Sequence, residues 1–543
     1  MPVLKIYYAR FERLTGLPRK QILDRLPYLG LDIEGTESDS VRIEYNPNRP
    51  DFSTDYGIAR ALRGLVGKRL GVEPYKAARG KVEVLTDKSL ARVRPFIACA
   101  VARRLKLDDE TVRQLISMQE DLHNGLGRRR RKVSIGLHNL DAVTPPFTYT
   151  GKDAGFSFVP LGWEEQMTVK YILENTDTGS AYAKILEGAP VYPILHDSQG
   201  VVLSFPPIIN GQATKVDNKT RNLFVDVTST DARLGNEALA IICAALADAG
   251  GRLETVNVVG PKGKATVTPL LAPSKMRFDL DLTNAATGLA LTKKQAKDCL
   301  RRSRLDLDGK GFATIPSYRV DIIHPVDLAE EVAIGYGMDK ITSAYPPSPD
   351  AGRLDPDVSA IEAMCETMTQ AGFNETMSYD LMDEPSLYSR FGRSSEAKLE
   401  VENPRSMEHY LLRDSLVPSL LAVLGRNTKN EYPQRVFEAG RVFIKEGDKV
   451  REVFALAALS AHASASYTEA KMLLESLVRR HLRASVETAP VYHWAFADGR
   501  AAQASLAGKP VGFLGEVKPL ALAASGLDMP ACGFEIHIPK ASG

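Results

Sequence analysis

At 543 residues the chain is long enough for about three or four domains of ordinary size. Hydrophobic residues make up 44% and charged residues 25%, the balance of a soluble globular protein. Lys and Arg total 69 against 67 Asp and Glu, so the net charge of +2 excludes a globally basic body, and any nucleic-acid contact must come from local patches.

In chain order, VLKIYY predicts a short strand, and NPNRPDF leads into DYGIARALRGLVGKRLG. There Ile58, Ala61, Leu62 and Leu65 repeat at i, i+3, i+4, i+7 and predict an amphipathic helix, with Asp51, Ser53 or Asp55 as its cap. Residues 81–265 alternate strands (KVSIGLHNL, GVVLSFPPIIN, RNLFVDVTSTD) with helices, the clearest being EALAIICAALADAGG. LTKKQAKDCLRRS predicts a further helix and GKGFATIPSYRVDI a hairpin arm. YPPSPDAGRLDP predicts a linker, after which Ile361, Met364, Cys365 and Met368 align on a helix stopped by Gly372.

The five cysteines are far apart and none has CxxC spacing, which predicts free thiols in a reducing compartment. No signal-peptide core or run of ~18 apolar residues is visible, so a cytoplasmic protein is expected. P-loop, HExxH and GxSxG motifs are absent, and the nine histidines never cluster at ligand spacing.

One stretch stands out. SYRVDIIHPVDLAEEV (317–332) carries Asp321, Asp327, Glu330 and Glu331 within eleven residues. If a helix begins near Asp327, then Asp327, Glu330 and Glu331 share one face. Such a cluster suits a hard cation. Equally, Asp-x-x-Glu is a capping box, and acids in a first turn complement the helix dipole. Spacing alone leaves both open.

NPNRPDFSTDYGIARALRG, LSFPPIINGQATKVDNKTRNLFVDVTSTD and SYRVDIIHPVDLAEEVAIGYGMDKI, in that order, resemble the phenylalanyl-tRNA synthetase beta subunits of the shorter archaeal and eukaryotic type. The resemblance runs over nearly the whole chain. It implies a multidomain α+β fold: an N-terminal α/β module (1–80), an editing domain (81–265), a small magnesium-site domain (270–346) and a class II synthetase-like antiparallel sheet with helices (352–543). It also implies an α2β2 heterotetramer that uses ATP to join L-phenylalanine to tRNA(Phe), with the synthetic site in the alpha subunit and editing and tRNA contacts in beta.

Physics asks for editing. An apolar pocket rejects an added hydroxyl by only about 10²-fold, whereas a site built to bind that hydroxyl refuses the analogue lacking it by about 10⁴–10⁵. Tyrosine attached to tRNA(Phe) is therefore best removed at a site that requires its hydroxyl. The resemblance puts the pocket candidates at Leu203, Ser204, Pro206, Asn210, Gly211, Asp226, Thr228 and Thr230, with His138 nearby. Ser204, Asn210 and Asp226 are the residues suited to reading the hydroxyl or positioning water. Arg128, Arg129, Arg130, Arg131 and Lys132 are candidates for phosphate contacts, or a solvated loop. The family's magnesium ligands match Asp321, Asp327, Glu330 and Glu331, although Mg²⁺ usually takes only one or two direct carboxylates.

The last domain is expected to be catalytically silent. Class II cores clamp ATP with bidentate arginines, and residues 512–538 contain none. Arg413 and Arg441 are accordingly read as structural. Two alternatives are a tRNA-binding assembly scaffold that has lost editing and a metal-dependent hydrolase built on the acidic cluster. No nucleophile is visible beside that cluster.

Overall fold

The alternation of residues 223–229 becomes the strand Leu223–Ser229 in the computed structural model of this chain. The structure describes residues 2–261, 263–345, 351–393 and 398–539. It divides into two units, Met1–Ala344 and Tyr345–Gly543. Residues 346–350 of the expected linker lie outside the described residues.

In the first unit, Val3–Tyr7, Ser40–Glu44 and Asp32–Thr36 form a small antiparallel sheet. The helix Asp55–Leu65 packs on it through Ile58, Ala59 and Leu62. Its cap is Thr54, whose hydroxyl accepts from Gly57 N, and not one of the three residues expected. Ser53 instead donates to Pro50 O, and Asp51 is taken by arginines.

The largest sheet has ten strands. In spatial order they run Ile209–Asn210, Val202–Phe205, Tyr192–His196, Phe147–Lys152, Ala78–Thr86, Arg252–Val259, Phe96–Arg103, Leu223–Ser229 and Val133–Asn139, with Ala265–Thr268 paired to Arg252–Val259. Pairing is antiparallel except along Ala78–Thr86, which is parallel to both neighbours. The helix Ala232–Asp248 covers one face, burying Leu239, Ile242, Cys243 and Leu246 against Val225 and Val227. Each fully buried Leu or Ile there contributes about 1.5–3 kcal/mol. The opposite face holds Phe224, Val101, Phe147 and Leu203. The sheet curls far enough for its ends to meet, because Ser204 near one end donates to Asp226 near the other, at 3.4 Å.

A third sheet orders Ser274–Arg277, Phe312–Ile315 and Asp306–Leu307. The expected hairpin arm is shorter than read from sequence. Strand geometry ends at Ile315, and Asp321 lies in an irregular loop before the helix Pro325–Tyr336. The cause is local: Pro316 removes a ladder donor, and Pro325 needs an extended residue before it.

The second unit is built on seven strands ordered Asn374–Glu375, Gln434–Glu446, Lys449–Ala461, Ala531–His537, Lys509–Val517, Phe496–Leu506 and Glu487–Pro490. All pairs are antiparallel except the first. Helices Pro356–Gln370 and Tyr467–Leu482 pack on one side through Met364, Met368, Leu474 and Leu477, and Val417–Arg426 on the other. All five cysteines are free. Among the described residues no helix is long and apolar enough to cross a membrane.

Candidate functional site

Where the ends of the large sheet meet, a cleft of about 280 Å³ opens. On Leu223–Ser229 and Val133–Asn139, Asp226 sits opposite Gly136 and Thr228 opposite Ser134. The carboxylate and imidazole of Asp226 and His138 meet at 2.6 Å, and both are buried. A carboxylate accepts and does not donate, so His138 Nε2–H points at Asp226 and Nδ1 meets Thr214 Oγ1 at 2.9 Å. Gly136 makes room for this pair. A Cβ there would fall 2.2 Å from Asp226 Oδ1 and 2.4 Å from His138 Nε2.

Of the candidate residues, Ser204, Pro206, Asn210 and Asp226 line the cleft together. His138 stands behind Asp226. Gly211 lines an adjoining cavity, its Cα face pressed on Val202 O. Leu203 points instead into the core with Phe224 and Phe147. Thr228 is buried under Arg94, and Thr230 is exposed beyond the strand end, its N–H donating to Lys132 O.

Three residues have cleft roles that the sequence did not show, one of them named there only as part of the basic run. Arg94 is fully buried and donates to Thr228 Oγ1 (2.8 Å), Thr228 O (2.9 Å) and Arg131 O (3.3 Å); burial pushes its guanidinium down to about 10. Glu120 lines the cleft and accepts from Arg130 at 2.7 Å and His123 Nδ1 at 3.1 Å. Burial alone would raise its carboxyl, but His123 and Arg130 hold it below the usual range.

Arg130 is the third, and it revises the basic run. Arg128, Arg129 and Arg130 all have left-handed backbones (φ 47°, 54° and 62°). Each costs on the order of 1–2 kcal/mol for a non-glycine residue. Offsetting this, Arg130 donates to Ile208 O (2.9 Å) and Pro207 O (3.3 Å) and lies 4.3 Å over the Tyr182 ring. It is a wall of the cleft, whereas Arg128, Arg129 and Arg131 are exposed and Lys132 is half-buried.

The acidic cluster is arranged around arginines. Arg319, itself buried, grips Asp321 through three hydrogen bonds (2.9, 3.2 and 2.7 Å) and also donates to Glu331. Arg49 lies 4.0 Å from Asp321 and 3.8 Å from Glu331 while gripping Asp51. Asp327 Oδ2 accepts from Ile323 N and His324 N, both at 2.7 Å. The capping box therefore pairs His324 with Asp327, one turn earlier than Asp327 with Glu330. Burial and the charges of Glu331, Asp327 and Asp321 raise the Glu330 carboxyl. Among the described residues no three acidic, His or Cys side chains gather as a metal shell. As arranged, Arg319 holds both oxygens of Asp321 and one of Glu331, and backbone amides hold one oxygen of Asp327, so a magnesium ion here would have to displace them.

From this cluster a chain of ion pairs continues. Arg60 lies 3.7 Å from Asp51, donates to Asp248 at 2.6 Å and covers the Tyr318 ring at 3.9 Å. It ties the N-terminal sheet, the helix Ala232–Asp248 and the segment around residue 319 into one buried junction.

In the second unit, Arg413 is consumed by Glu438 (2.7 Å), Asp380 (2.9 Å), Ser378 Oγ (2.8 Å) and Arg441 O (2.9 Å). Arg441 is exposed and pairs with Glu452 at 2.8 Å.

Comparison with known proteins agrees along the chain. Residues 341–538 match the phenylalanyl tRNA synthetase beta chain CLM domain, and residues 276–338 the tRNA synthetase B5 domain. The phenylalanine--tRNA ligase beta subunit of Archaeoglobus fulgidus is 41% identical over 99% of this chain and 98% of its own length. That of Methanococcoides burtonii is 36% identical over 99% and 100%. A crystal structure of an N-terminal fragment of the phenylalanyl-tRNA synthetase beta subunit from Pyrococcus horikoshii is 32% identical, with a TM-score of 0.59, covering 62% of this chain and 99% of the fragment. This chain belongs to the phenylalanine--tRNA ligase beta subunit family.

Proposed function

We propose that the chain works as the beta subunit of an α2β2 phenylalanine--tRNA ligase in the cytoplasm and that its cleft removes tyrosine from mischarged tRNA(Phe). Phenylalanine and ATP are handled by the alpha subunit. The second unit is a silent assembly domain, because Arg413 spends its guanidinium on Glu438 and Asp380 and has no fork left for phosphate.

The observation that carries the editing reading is the buried Asp226–His138 pair at the base of a cleft lined by Ser204 and Asn210. In that arrangement Asp226 and Ser204 orient water toward the ester carbonyl. Water adds to the carbon, the bond to the ribose oxygen breaks, and tyrosine leaves with the ribose hydroxyl restored. The same polar groups supply partners that a phenol satisfies and a phenyl ring does not. Arg128, Arg129 and Arg131 offer phosphate contacts beside it. No step involves a metal, and magnesium at Asp321, Asp327, Glu330 and Glu331 would require Arg319 to release two of them.

The test is hydrolysis of tyrosyl-tRNA(Phe) by the complex carrying Asp226→Ala. Clearance of tyrosine is expected to fall while phenylalanine charging is unchanged. Undiminished clearance removes Asp226 from the site, and no clearance by the unaltered complex leaves the chain a scaffold.

A further inference from the structure

The helix Asp109–Asn124 stands between the cleft and the N-terminal sheet, and its two sides are tied to different elements. Toward the cleft, Gln119 Nε2 donates to Ile135 O (2.8 Å), His123 Nε2 accepts from Ile135 N (2.8 Å), and Glu120 accepts from Arg130 (2.7 Å). At 3.6 residues per turn, Thr111, Gln114 and Asp121 fall on the other side. There Arg10 donates to Asp108 (2.8 Å) and to Thr111 Oγ1 (3.0 Å), and Gln114 Oε1 accepts from Asp55 N (2.9 Å). Those contacts fix the first half of the helix. Tyr45 reaches its last turn, where the phenol donates to Asp121 at 2.6 Å, next to Glu120 in the chain.

We infer that Tyr45 is a positioning residue for the cleft: its hydrogen bond to Asp121 sets the last turn of this helix, and with it the wall that Glu120 and Arg130 make. The effect on rate rests on the editing reading, which it extends to a residue outside the cleft. Tyr45 is buried in the N-terminal core, directly after the strand Ser40–Glu44. Burial and the Asp121 carboxylate push its phenol up from the ordinary value, so the hydroxyl keeps its proton and donates. A hydroxyl-to-carboxylate bond is roughly twice as strong as one between neutral groups. The relay beyond it is short. Glu120 holds Arg130 and His123, and Arg130 donates on to Ile208 O (2.9 Å) and Pro207 O (3.3 Å), in the stretch that lines the cleft beside Ser204 and Asp226. A turn of the helix end therefore moves the Glu120 carboxylate, Arg130 and residues 207–208 together. Tyr45 and Asp121 are 76 residues apart, which hides the link from the sequence.

The experiment uses the complex with its alpha partner and compares Tyr45→Phe with Asp121→Asn. The first removes the hydroxyl and keeps the ring in its apolar cluster with Ile43 and Phe52. The second keeps an oxygen that accepts from Tyr45. Two readouts are taken: kcat and KM for hydrolysis of tyrosyl-tRNA(Phe), and the methyl NMR resonances of Ile116 and Ile208, which both line the cleft. For Tyr45→Phe the expected result is kcat lowered about tenfold at unchanged KM, less than the roughly 10²-fold that a ~1 Å misplacement can cost. The Ile208 methyl shifts with it, and Asp121→Asn stays within about twofold of the parent in rate. Rate and methyl resonances unchanged in Tyr45→Phe overturn the inference, as does an equal loss in both variants, which marks general damage. A shifted Ile208 methyl in Tyr45→Phe alone, in a complex whose unaltered form leaves tyrosyl-tRNA intact, supports the link to the wall and overturns the editing reading instead.

Discussion

Asp226 Oδ1 and His138 Nε2 meet at 2.6 Å across two antiparallel strands only because residue 136 has no Cβ. Gly136→Ala is therefore expected to push the pair apart, costing about 1–3 kcal/mol as an overpacking change. Displacement of a positioned group by about 1 Å can cost 10²-fold in rate, so tyrosyl-tRNA clearance should fall by that order. Deacylation and thermal denaturation of the complex check both numbers. Clearance at the unaltered rate would show that Asp226 and His138 need not touch.

The basic run separates into two kinds of arginine. Replacing Arg128, Arg129 and Arg131 with Ala, leaving Arg130, should flatten the salt dependence of tRNA binding. Each phosphate that is no longer neutralised lowers the log–log slope by about 0.7–0.9. Clearance of bound tyrosyl-tRNA at saturation should survive. An unchanged slope from filter binding at roughly 50–200 mM salt rejects phosphate binding by these three side chains.

How much of this was legible beforehand follows the distance over which each signal acts. The stripe Ile58, Ala61, Leu62 and Leu65 and the run from Leu239 to Leu246 describe their helices, because a helix face is decided within two turns. The cap at Thr54 was misassigned because three neighbouring residues have equal capping chemistry and only tertiary demand for Asp51 and Asp55 separates them. Ser204, Asn210 and Asp226 were reached through family resemblance. Arg94 was not, and Arg130 was read only as part of the basic run and not as a wall of the cleft, since their partners lie 134 and 78 residues away along the chain. Left-handed arginines have no sequence signature, because glycine and asparagine are what that conformation ordinarily selects.

Arg319 decides what the acidic cluster does. Arg319→Met leaves the largely buried Asp321 and Glu331 with Arg49 alone, at 4.0 and 3.8 Å, in place of their hydrogen-bonded partner, which should cost up to about 3–5 kcal/mol. In the unaltered chain, millimolar Mg²⁺ should leave Tm within about 1 °C, since Asp321 and Glu331 are already held by Arg319. The variant should be stabilised by the same ion, as ligand binding to the folded state requires. Saturable stabilisation of the unaltered chain by several degrees, read by calorimetry with EDTA as control, would show that the ion displaces Arg319.

Glu535 gives the second unit a pH dependence. Its Oε2 accepts from Ser415 Oγ (2.6 Å), Leu416 N (3.0 Å) and Val417 N (3.2 Å), and burial lifts its carboxyl to about 7. The folded state thus holds a proton that the unfolded state, near 4.5, has released. Stability falls as pH rises from about 5 through 7, and the loss is complete above that. Glu535→Gln keeps an oxygen acceptor and removes the titration. The variant should gain about 2–3 kcal/mol on the parent between pH 5 and pH 8. Parallel Tm profiles for the two proteins would exclude Glu535 as the titrating group.

The order of strands in the large sheet has a consequence for synthesis on the ribosome. Phe96–Arg103 is translated early, yet both its partners, Leu223–Ser229 and Arg252–Val259, come more than a hundred residues later. Ala78–Thr86 likewise waits for Arg252–Val259 on one side. At roughly 5–20 residues per second the nascent chain carries unpaired apolar strands for on the order of ten seconds. Pairing along these strands therefore waits until Arg252–Val259 has been made, and a chain truncated before residue 252 leaves the facing edges of Ala78–Thr86 and Phe96–Arg103 open.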